Sequence, residues 1–381
     1  MAGPSTASSP RPGAAPGEAG TPGDREPELG AGGSRATIYE VAHRAGVSVS
    51  TVSRAFRAPS LLREETRGRV HEAARVLGYV PNRAAGGLTT GRTSNLALVV
   101  PDMANPVFPL LVKAAQGRAR VADYAVFLVD TDEESAVEAH AIRAMAKQVD
   151  GVIVCAPRMA DEHLHELAQL TPLVLVNRRA GDIPAVTIDM AGGMREAVMH
   201  LYALGHRECV YVAGPRASWS SRQRRKAFRD AARRLAMASS VLGPFEPRYE
   251  AGLQAADRLL AAGATAVVAY NDLLALGIRA RLGQRGVVVP DEMSVVGFDD
   301  IAMASMASPP LTSVAMPAAE AGRAAVELML QVLGQSPGDE RGRYALRTEL
   351  RVRASTGPCR SAGDGNGRRR AGVGQARQGA P

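Results

Sequence analysis

The sequence predicts a small all-helical module near its N-terminal end, followed by a large α/β core built on parallel sheets. Three observations carry this. Residues 37–80 show three short helical patterns, each too small to bury a core except against the others. From Asn95 onward, apolar and β-branched runs alternate with helical patterns: 96–100 (LALVV), 125–129 (AVFLV), 152–155 (VIVC), 173–176 (LVLV), 209–213 (CVYVA), 266–270 (AVVAY) and 294–298 (SVVGF). That alternation marks βαβ units whose strands are covered on both faces, and the stretch 93–356 accommodates two sheets more readily than one. With 381 residues, 46% of them hydrophobic and 22% charged, the composition excludes a collagen-like, disordered or disulfide-stapled protein.

The flanks read differently. Residues 1–36 hold six prolines and eight glycines, and 357–381 are rich in Gly and Arg. Both are expected to be disordered tails, with too few apolar side chains to offset the entropy of ordering. No signal peptide is expected, and no apolar run approaches the roughly 18 residues of a membrane span, so the expected location is the cytoplasm, without a membrane partner. Cys155, Cys209 and Cys359 form no CxxC pair, which argues against a disulfide framework or a metal ribbon and suits a reducing compartment.

The net charge of +8 is unevenly spread. Segment 37–92 has nine Arg and four Glu, net +5; 360–381 is net +4, 1–36 net −1, and the large middle is neutral. A basic excess confined to a short module and a tail suits a phosphate backbone. The near absence of lysine (Lys113, Lys147, Lys226) reflects codon bias and carries no functional weight.

Taken in order, Thr37-Ile38-Tyr39-Glu40 is a capping box that starts a first helix, with Ile38, Val41, Ala42 and Ala45 as its apolar stripe. Gly46 permits a left-handed turn and Ser48 caps a second helix, to about Phe56. Val52 and Phe56 of that helix are expected to face inward, with Val49, Ser50, Ser53 and Arg54 outward. A third helix carries Val70, Ala73, Ala74 and Leu77, and stops at Gly78 ahead of Pro81. Helix, short glycine turn, helix is the geometry that lays a second helix into a major groove. A helical dimerisation cap is the plainer alternative, but small hydroxyl residues with one arginine suit base edges and phosphates better than a partner helix.

The runs TIYEVAHRAGVSVSTVSRAF and EETRGRVHEAARVLGYVPNRAA resemble the headpiece of the LacI/GalR-type (lactose repressor family) transcription regulators. The resemblance continues through GRTSNLALVVPDMANPVF, LGHRECVYVAGP, AYNDLLALG, VPDEMSVVGFDD and PPLTSVAM, covering roughly residues 37–355. It implies a headpiece at 37–81, a hinge helix and linker at 82–92, and a two-lobed core of periplasmic-binding-protein type at 93–356. It further implies a homodimer on a pseudo-palindromic double-stranded DNA operator, without a cofactor. By position, Val49, Ser50 and Arg54 would read bases, Thr37, Tyr39, Ser48, Thr51, Ser53 and Asn82 would contact phosphates, and Leu88 would wedge into the minor groove. The chain departs from the family pattern at Arg57, at Arg63 in place of a hydroxyl cap, at Ala85-Gly86-Gly87 in the hinge, and at Asn177 in place of a frequent aspartate.

In open parallel sheets a ligand sits beyond the carboxyl ends of the strands. Following them here are Asp102 and Asn105 to Phe108, Asp130-Thr131-Asp132, Asn177-Arg178, Gly214-Pro215 up to Arg222 and Arg224, Asn271-Asp272 and Asp299-Asp300. Carboxylates, amides and guanidinium forks in one cleft suit the vicinal hydroxyls of a sugar or a polar heterocycle, with Phe108 or Trp219 as an apolar wall; a sugar is the effector expected. Loop Asp and Asn are also common helix caps, and Arg222 to Arg225 could be a solvated face. The resemblance raises Arg222, Arg224, Asn271 and Asp299 above those readings. Catalysis finds little support: Asp299 and Asp300 are adjacent and diverge, and His163 and His165 lack metal-ligand spacing. Gly86-x4-Gly91-Arg92-Thr93 precedes a strand where a phosphate loop would follow one. The expectation is a non-enzymatic, effector-responsive repressor; a solute-binding protein without DNA function is the rival.

Overall fold

The computed structural model of the chain describes residues 36–57, 59–80, 92–334, 336 and 343–359. Apart from Arg92, the expected hinge segment lies outside these residues, as do most of both expected tails. The described residues fall into two compact units, one ending at Val80 and one beginning at Arg92.

The N-terminal unit has helices α1 (Ile38–Ala45), α2 (Val49–Arg57) and α3 (Glu64–Leu77), with a 3-10 turn at Pro59–Leu61. The capping box forms in full: Glu40 N–H donates to Thr37 Oγ1 at 3.4 Å and Thr37 N–H to the Glu40 carboxylate at 2.6 Å. Gly46, at φ 64°, supplies the left-handed turn out of α1. Thr51 N–H donates to Ser48 Oγ at 3.2 Å. Arg63 stands at the start of α3 with no side-chain cap, as the departure from the hydroxyl pattern implied. Valine and alanine form the buried centre, Val41, Val52 and Val70 being fully buried beside Ala42, Ala45, Ala55, Ala73 and Ala74. Such small side chains let three short helices approach closely, and their joint burial offsets what none could offset alone.

The second unit has two lobes. The first contains β1 (Asn95–Val100), α4 (Val107–Val121), β2 (Ala125–Asp130), α5 (Ser135–Met145), β3 (Gly151–Cys155), α6 (Asp161–Ala168), β4 (Leu173–Val176) and β5 (Ala185–Asp189). The chain then crosses to the second lobe: α7 (Met190–Ala203), β6 (Glu208–Val212), α8 (Trp219–Arg234), β7 (Ala238–Leu242), α9 (Tyr249–Ala261), β8 (Ala266–Ala269), α10 (Asp272–Gln284), β9 (Ser294–Asp299), α11 (Ala302–Met306) and β10 (Thr312–Ala315). It returns through α12 (Ala318–Val332) and β11 (Arg343–Arg347) to the first lobe and ends with β12 (Glu349–Arg351) in the second.

The first sheet runs β11-β5-β4-β3-β1-β2 with every pairing parallel; the second runs β12-β10-β9-β8-β6-β7, parallel except for β12 on β10. Alternate residues of β1 enter different clusters: Leu96, Leu98 and Val100 pack with α4 and α12, Ala97 and Val99 with α5 and α6. That division explains why the inner strands read as unbroken apolar runs. Where α12 crosses α4, a Cβ on Gly322 would lie 2.2 Å from the Leu111 carbonyl oxygen, so only glycine allows this approach. Five strands escaped the sequence reading: β5, β7, β10, β11 and β12. Three of them are outer strands, and β10 buries Thr312 and Ser313 with their hydroxyls bonded, which breaks the apolar signal.

Candidate functional site

On the N-terminal unit, Tyr39 is 72% exposed, and Thr37, Ser48, Ser50 and Arg54 are exposed as well. Ser48 Oγ lies 2.8 Å from Ser50 Oγ and 2.9 Å from Thr51 Oγ1, a hydroxyl cluster at the start of α2. Thr51 and Ser53 are half-buried. Val49 is a correction: it packs partly against the helical core rather than facing wholly outward, because the first turn of α2 lies close over the other helices. Phe56 is also only partly buried, edge-on to His71 with ring centroids 4.9 Å apart. Asn82 and Leu88 lie outside the described residues.

In the second unit, the strand ends of both lobes enclose a cleft of about 580 Å³ of atom-free space, part of it open to solvent. Phe108, Val107 and Leu111 from α4 make an apolar wall, with Val176 and Ile188 beside them and Met316 from the other lobe. Asn177, at the end of β4, donates through Nδ2 to Ser220 Oγ at 3.2 Å, a hydrogen bond from one lobe to the other. Its Oδ1 is buried without a partner.

Arg224 is the centre of the second-lobe wall. Its guanidinium bonds Asp299 Oδ1 at 3.0 Å and the Tyr270 carbonyl, and lies 3.6 Å from the centroid of the Phe298 ring. Its Nε is buried and unpartnered. Burial raises the Asp299 carboxyl to about 6, against the opposing pull of Arg224. Asp272 behind it is fully buried, accepting from Ser313 Oγ at 2.6 Å and Ile301 N–H at 2.8 Å; burial, then the Asp299 charge, push its carboxyl well upward. These bonds hold the turn in which Asp299 and Asp300 adopt φ 109° and 53°. Positive φ recurs at Asn177, Ala156 and Glu133, so left-handed backbone gathers around the cleft, as at functional sites generally.

Three expected effector residues sit elsewhere. Asn271 is 1% exposed and caps α10, its Oδ1 accepting from Leu274 N–H at 3.0 Å and its Nδ2 donating to the Pro247 carbonyl at 3.0 Å; it supports the cleft from behind Pro247. Trp219 packs against the second-lobe core, and Arg222 is exposed, donating to the Arg216 and Ala217 carbonyls at 3.2 and 3.1 Å. The reason is helical spacing: Ser220 and Arg224, four apart, share the face of α8 that lines the cleft, and Arg222 is two residues out of phase.

Sequence reasoning missed Glu133 and Arg158. Arg158 grips the Glu133 carboxylate with Nε at 2.6 Å and Nη2 at 2.8 Å and also donates to the Ala156 carbonyl. Its main-chain N–H donates to the buried Glu138, whose carboxyl burial raises. The signal was available, since Arg158 follows the third strand just as Asp102 and Asn177 follow the first and fourth. Among the described residues, Asp102, Asp130 and Asp132 are the acidic groups that come within 4.8 Å of one another; each of the first two already accepts a main-chain N–H, and nothing further marks them as a metal site.

A hydroxyl-rich helix-turn-helix surface and a two-lobed cleft with parallel strand ends define a ligand-binding DNA regulator as the class. The comparisons agree. Residues 37–82 match the bacterial regulatory proteins of the lacI family, and 198–356 match a periplasmic binding protein-like domain. The chain is 32% identical over 330 residues to the HTH-type transcriptional repressor CytR of Escherichia coli K12, covering 84% of this chain and 96% of that one. It is 32% identical over 337 residues to the HTH-type transcriptional regulator DegA of Bacillus subtilis, covering 85% and 99%. The lac repressor dimer bound to operator and the anti-inducer ONPF superposes with a TM-score of 0.77 at 27% identity, over 85% of this chain and 100% of that one. A CelR–cellobiose complex gives 0.62 at 30% identity, over 84% and 100%. The chain therefore belongs to the lacI family of bacterial transcription regulators. No helix among the described residues is long and apolar enough to cross a membrane.

Proposed function

We infer that this chain is a homodimeric, effector-responsive repressor whose operator affinity changes when a small polar molecule, a sugar, fills the cleft. One observation carries the reading: two residues that line the same space, Arg224 and Asn177, each hold a buried polar atom without a partner, Nε as a donor and Oδ1 as an acceptor. Leaving a buried polar group unpaired costs about 1–3 kcal/mol, so each favours a ligand that supplies the missing hydrogen bond. Vicinal hydroxyls do so as donor and acceptor at once, the Asp299 carboxylate takes a further hydroxyl, and Phe108 covers the apolar face of a ring. Because Asn177 and Ser220 join the lobes beside this space, a ligand there biases how the lobes close, which is the differential contact that allostery requires.

On the DNA side, Ser50 and Arg54 are exposed on α2 for base edges, with Thr37, Tyr39, Ser48, Thr51 and Ser53 for phosphates; Val49 presents only part of its side chain. Asn82 and Leu88 complete the proposed set from the hinge. For the dimer, the outer strand β2 leaves Phe127 43% and Leu128 39% exposed, although its sequence reads like an inner strand. A second copy covering that apolar run explains the mismatch. A solute-binding protein without DNA function leaves the helix-turn-helix unit unexplained. The proposed location is the cytoplasm, where the operator is. The test is a melting-temperature screen of monosaccharides, disaccharides and nucleosides, followed by gel shifts on upstream DNA with each hit. A sugar should raise the melting temperature and change operator affinity; hits confined to nucleosides would overturn the sugar assignment, and hits without any effect on DNA binding would overturn the regulatory one.

A further inference from the structure

A second pocket lies in the same lobe, on the face of α8 next to the one that lines the cleft. It is formed where β6 and β7 end, by Gly214, Arg216, Gly243 and their neighbours, with Ser221 and Arg225 from α8, and encloses about 710 Å³ of atom-free space, part of it open solvent. Its lining contains two arginines and no acidic residue. Among the described residues neither guanidinium takes part in a hydrogen bond or ion pair, as is also true of Arg195, Arg229 and Arg234 of this lobe, whereas Arg207, Arg222, Arg224, Arg233, Arg281 and Arg285 are engaged; Arg216 and Arg225 are the two that share a pocket. Ser221 is only 4% exposed, yet its hydroxyl has no partner; its N–H is the group that Ser218 Oγ caps. The first turn of α8 carries no acidic side chain to neutralise the positive end of the helix.

We propose that Arg216, Ser221 and Arg225 form a binding site for the phosphoryl group of a small phosphate monoester, separate from the effector cleft. Guanidinium forks pair with phosphate oxygens in bidentate fashion, the Ser221 hydroxyl can donate to a third oxygen, and a helix N-terminus adds field of the right sign. Two full positive charges match the roughly −1.5 to −2 that such a group carries at pH 7 better than they match a single carboxylate. The loop that bears Arg216 is held for this by Arg222, which bonds the carbonyls of Arg216 and Ala217. Ser221 and Arg225 are the immediate neighbours of Ser220 and Arg224, so one helix carries both sites, and occupancy of either shifts affinity at the other by the same factor. Only that coupling rests on the effector reading of the cleft; the phosphate site does not.

The test is calorimetric titration of the full chain, without DNA, using inorganic phosphate and glycerol 3-phosphate at constant ionic strength set with chloride, and acetate as the carboxylate control. Saturable binding of phosphate is expected, weakened at least tenfold in Arg216→Ala/Arg225→Ala and a few-fold in Ser221→Ala. Both arginines are exposed and unpaired, so the double variant should melt like the wild type. Tighter binding of glycerol 3-phosphate would assign the site to an organic phosphate, and equal binding to free phosphate. No saturable binding, unchanged binding in the double variant, or acetate binding as well as phosphate would each overturn the proposal. Loss of the sugar response with phosphate binding intact would count against the cleft reading alone.

Discussion

The two walls of the cleft each hold a buried arginine paired with a carboxylate, but the two arginines differ in what they leave open. Arg158 spends all three nitrogens, two on Glu133 and one on the Ala156 carbonyl. Arg224 binds Asp299 and Tyr270 through its terminal nitrogens and keeps Nε free. A fully bonded buried arginine is a structural strut, since any ligand would have to displace bonds already made. A partly bonded one is poised, because a ligand can only add to what it has.

The contrast breaks in a predictable order. Arg158→Met should cause the largest loss of stability, about 3–5 kcal/mol, by leaving Glu133 without its partner and removing the positive charge beside the buried Glu138, whose main-chain hydrogen bonds remain. The measurement is a denaturant unfolding curve. Arg224→Met should cost less, because Asp299, already at about 6, can remain protonated once the guanidinium is gone.

Asp299→Asn should lower effector affinity by about 10-fold or more, the scale of a hydrogen bond to a charged group. It should also change the pH dependence. The folded value of this carboxyl stands above its ordinary 3.8, so its stabilising contribution is present at low pH and is lost as pH rises through about 6. Effector binding runs the other way: it needs the ionised acceptor and should weaken below pH 6, by up to about tenfold per unit. Both slopes should flatten in the asparagine variant, and a wild-type affinity that stays level between pH 7 and pH 5 would show that the ionised carboxylate is not used.

The smallest effect belongs to Arg222→Ala. It should leave sugar affinity within about twofold, since surface changes away from a site are usually within about 0.5 kcal/mol. A loss comparable with that of Asp299→Asn would return Arg222 to the cleft.

Much of this was legible in the sequence, for reasons that differ between regions. The headpiece elements are set by neighbours: Thr37 and Glu40 three apart, Gly46 at the turn, Ser48 at the cap. Six of the seven strands read were legible because inner parallel strands are apolar on both faces, and the outer β2 because its exposed run is apolar too, while β7, β11 and β12 at the edges carry no such signal. In the cleft, Phe108, Asn177, Arg224 and Asp299 were found from the strand-end rule and the family resemblance. That rule names loops and says nothing about direction, so it admitted Asn271, which faces its own helix, and Trp219 and Arg222, which lie off the cleft-lining face of α8. Glu133 and Arg158 meet only through the fold, 25 residues apart.

The central claim is that a sugar bound against Arg224 controls operator affinity, and it is tested most directly by operator titrations of the wild type and Arg224→Met with and without the sugar identified by melting. The wild type should change operator affinity by about 5–150-fold, while the variant should bind sugar-free operator like the wild type and ignore the sugar. A variant that responds to the sugar as the wild type does would contradict the account.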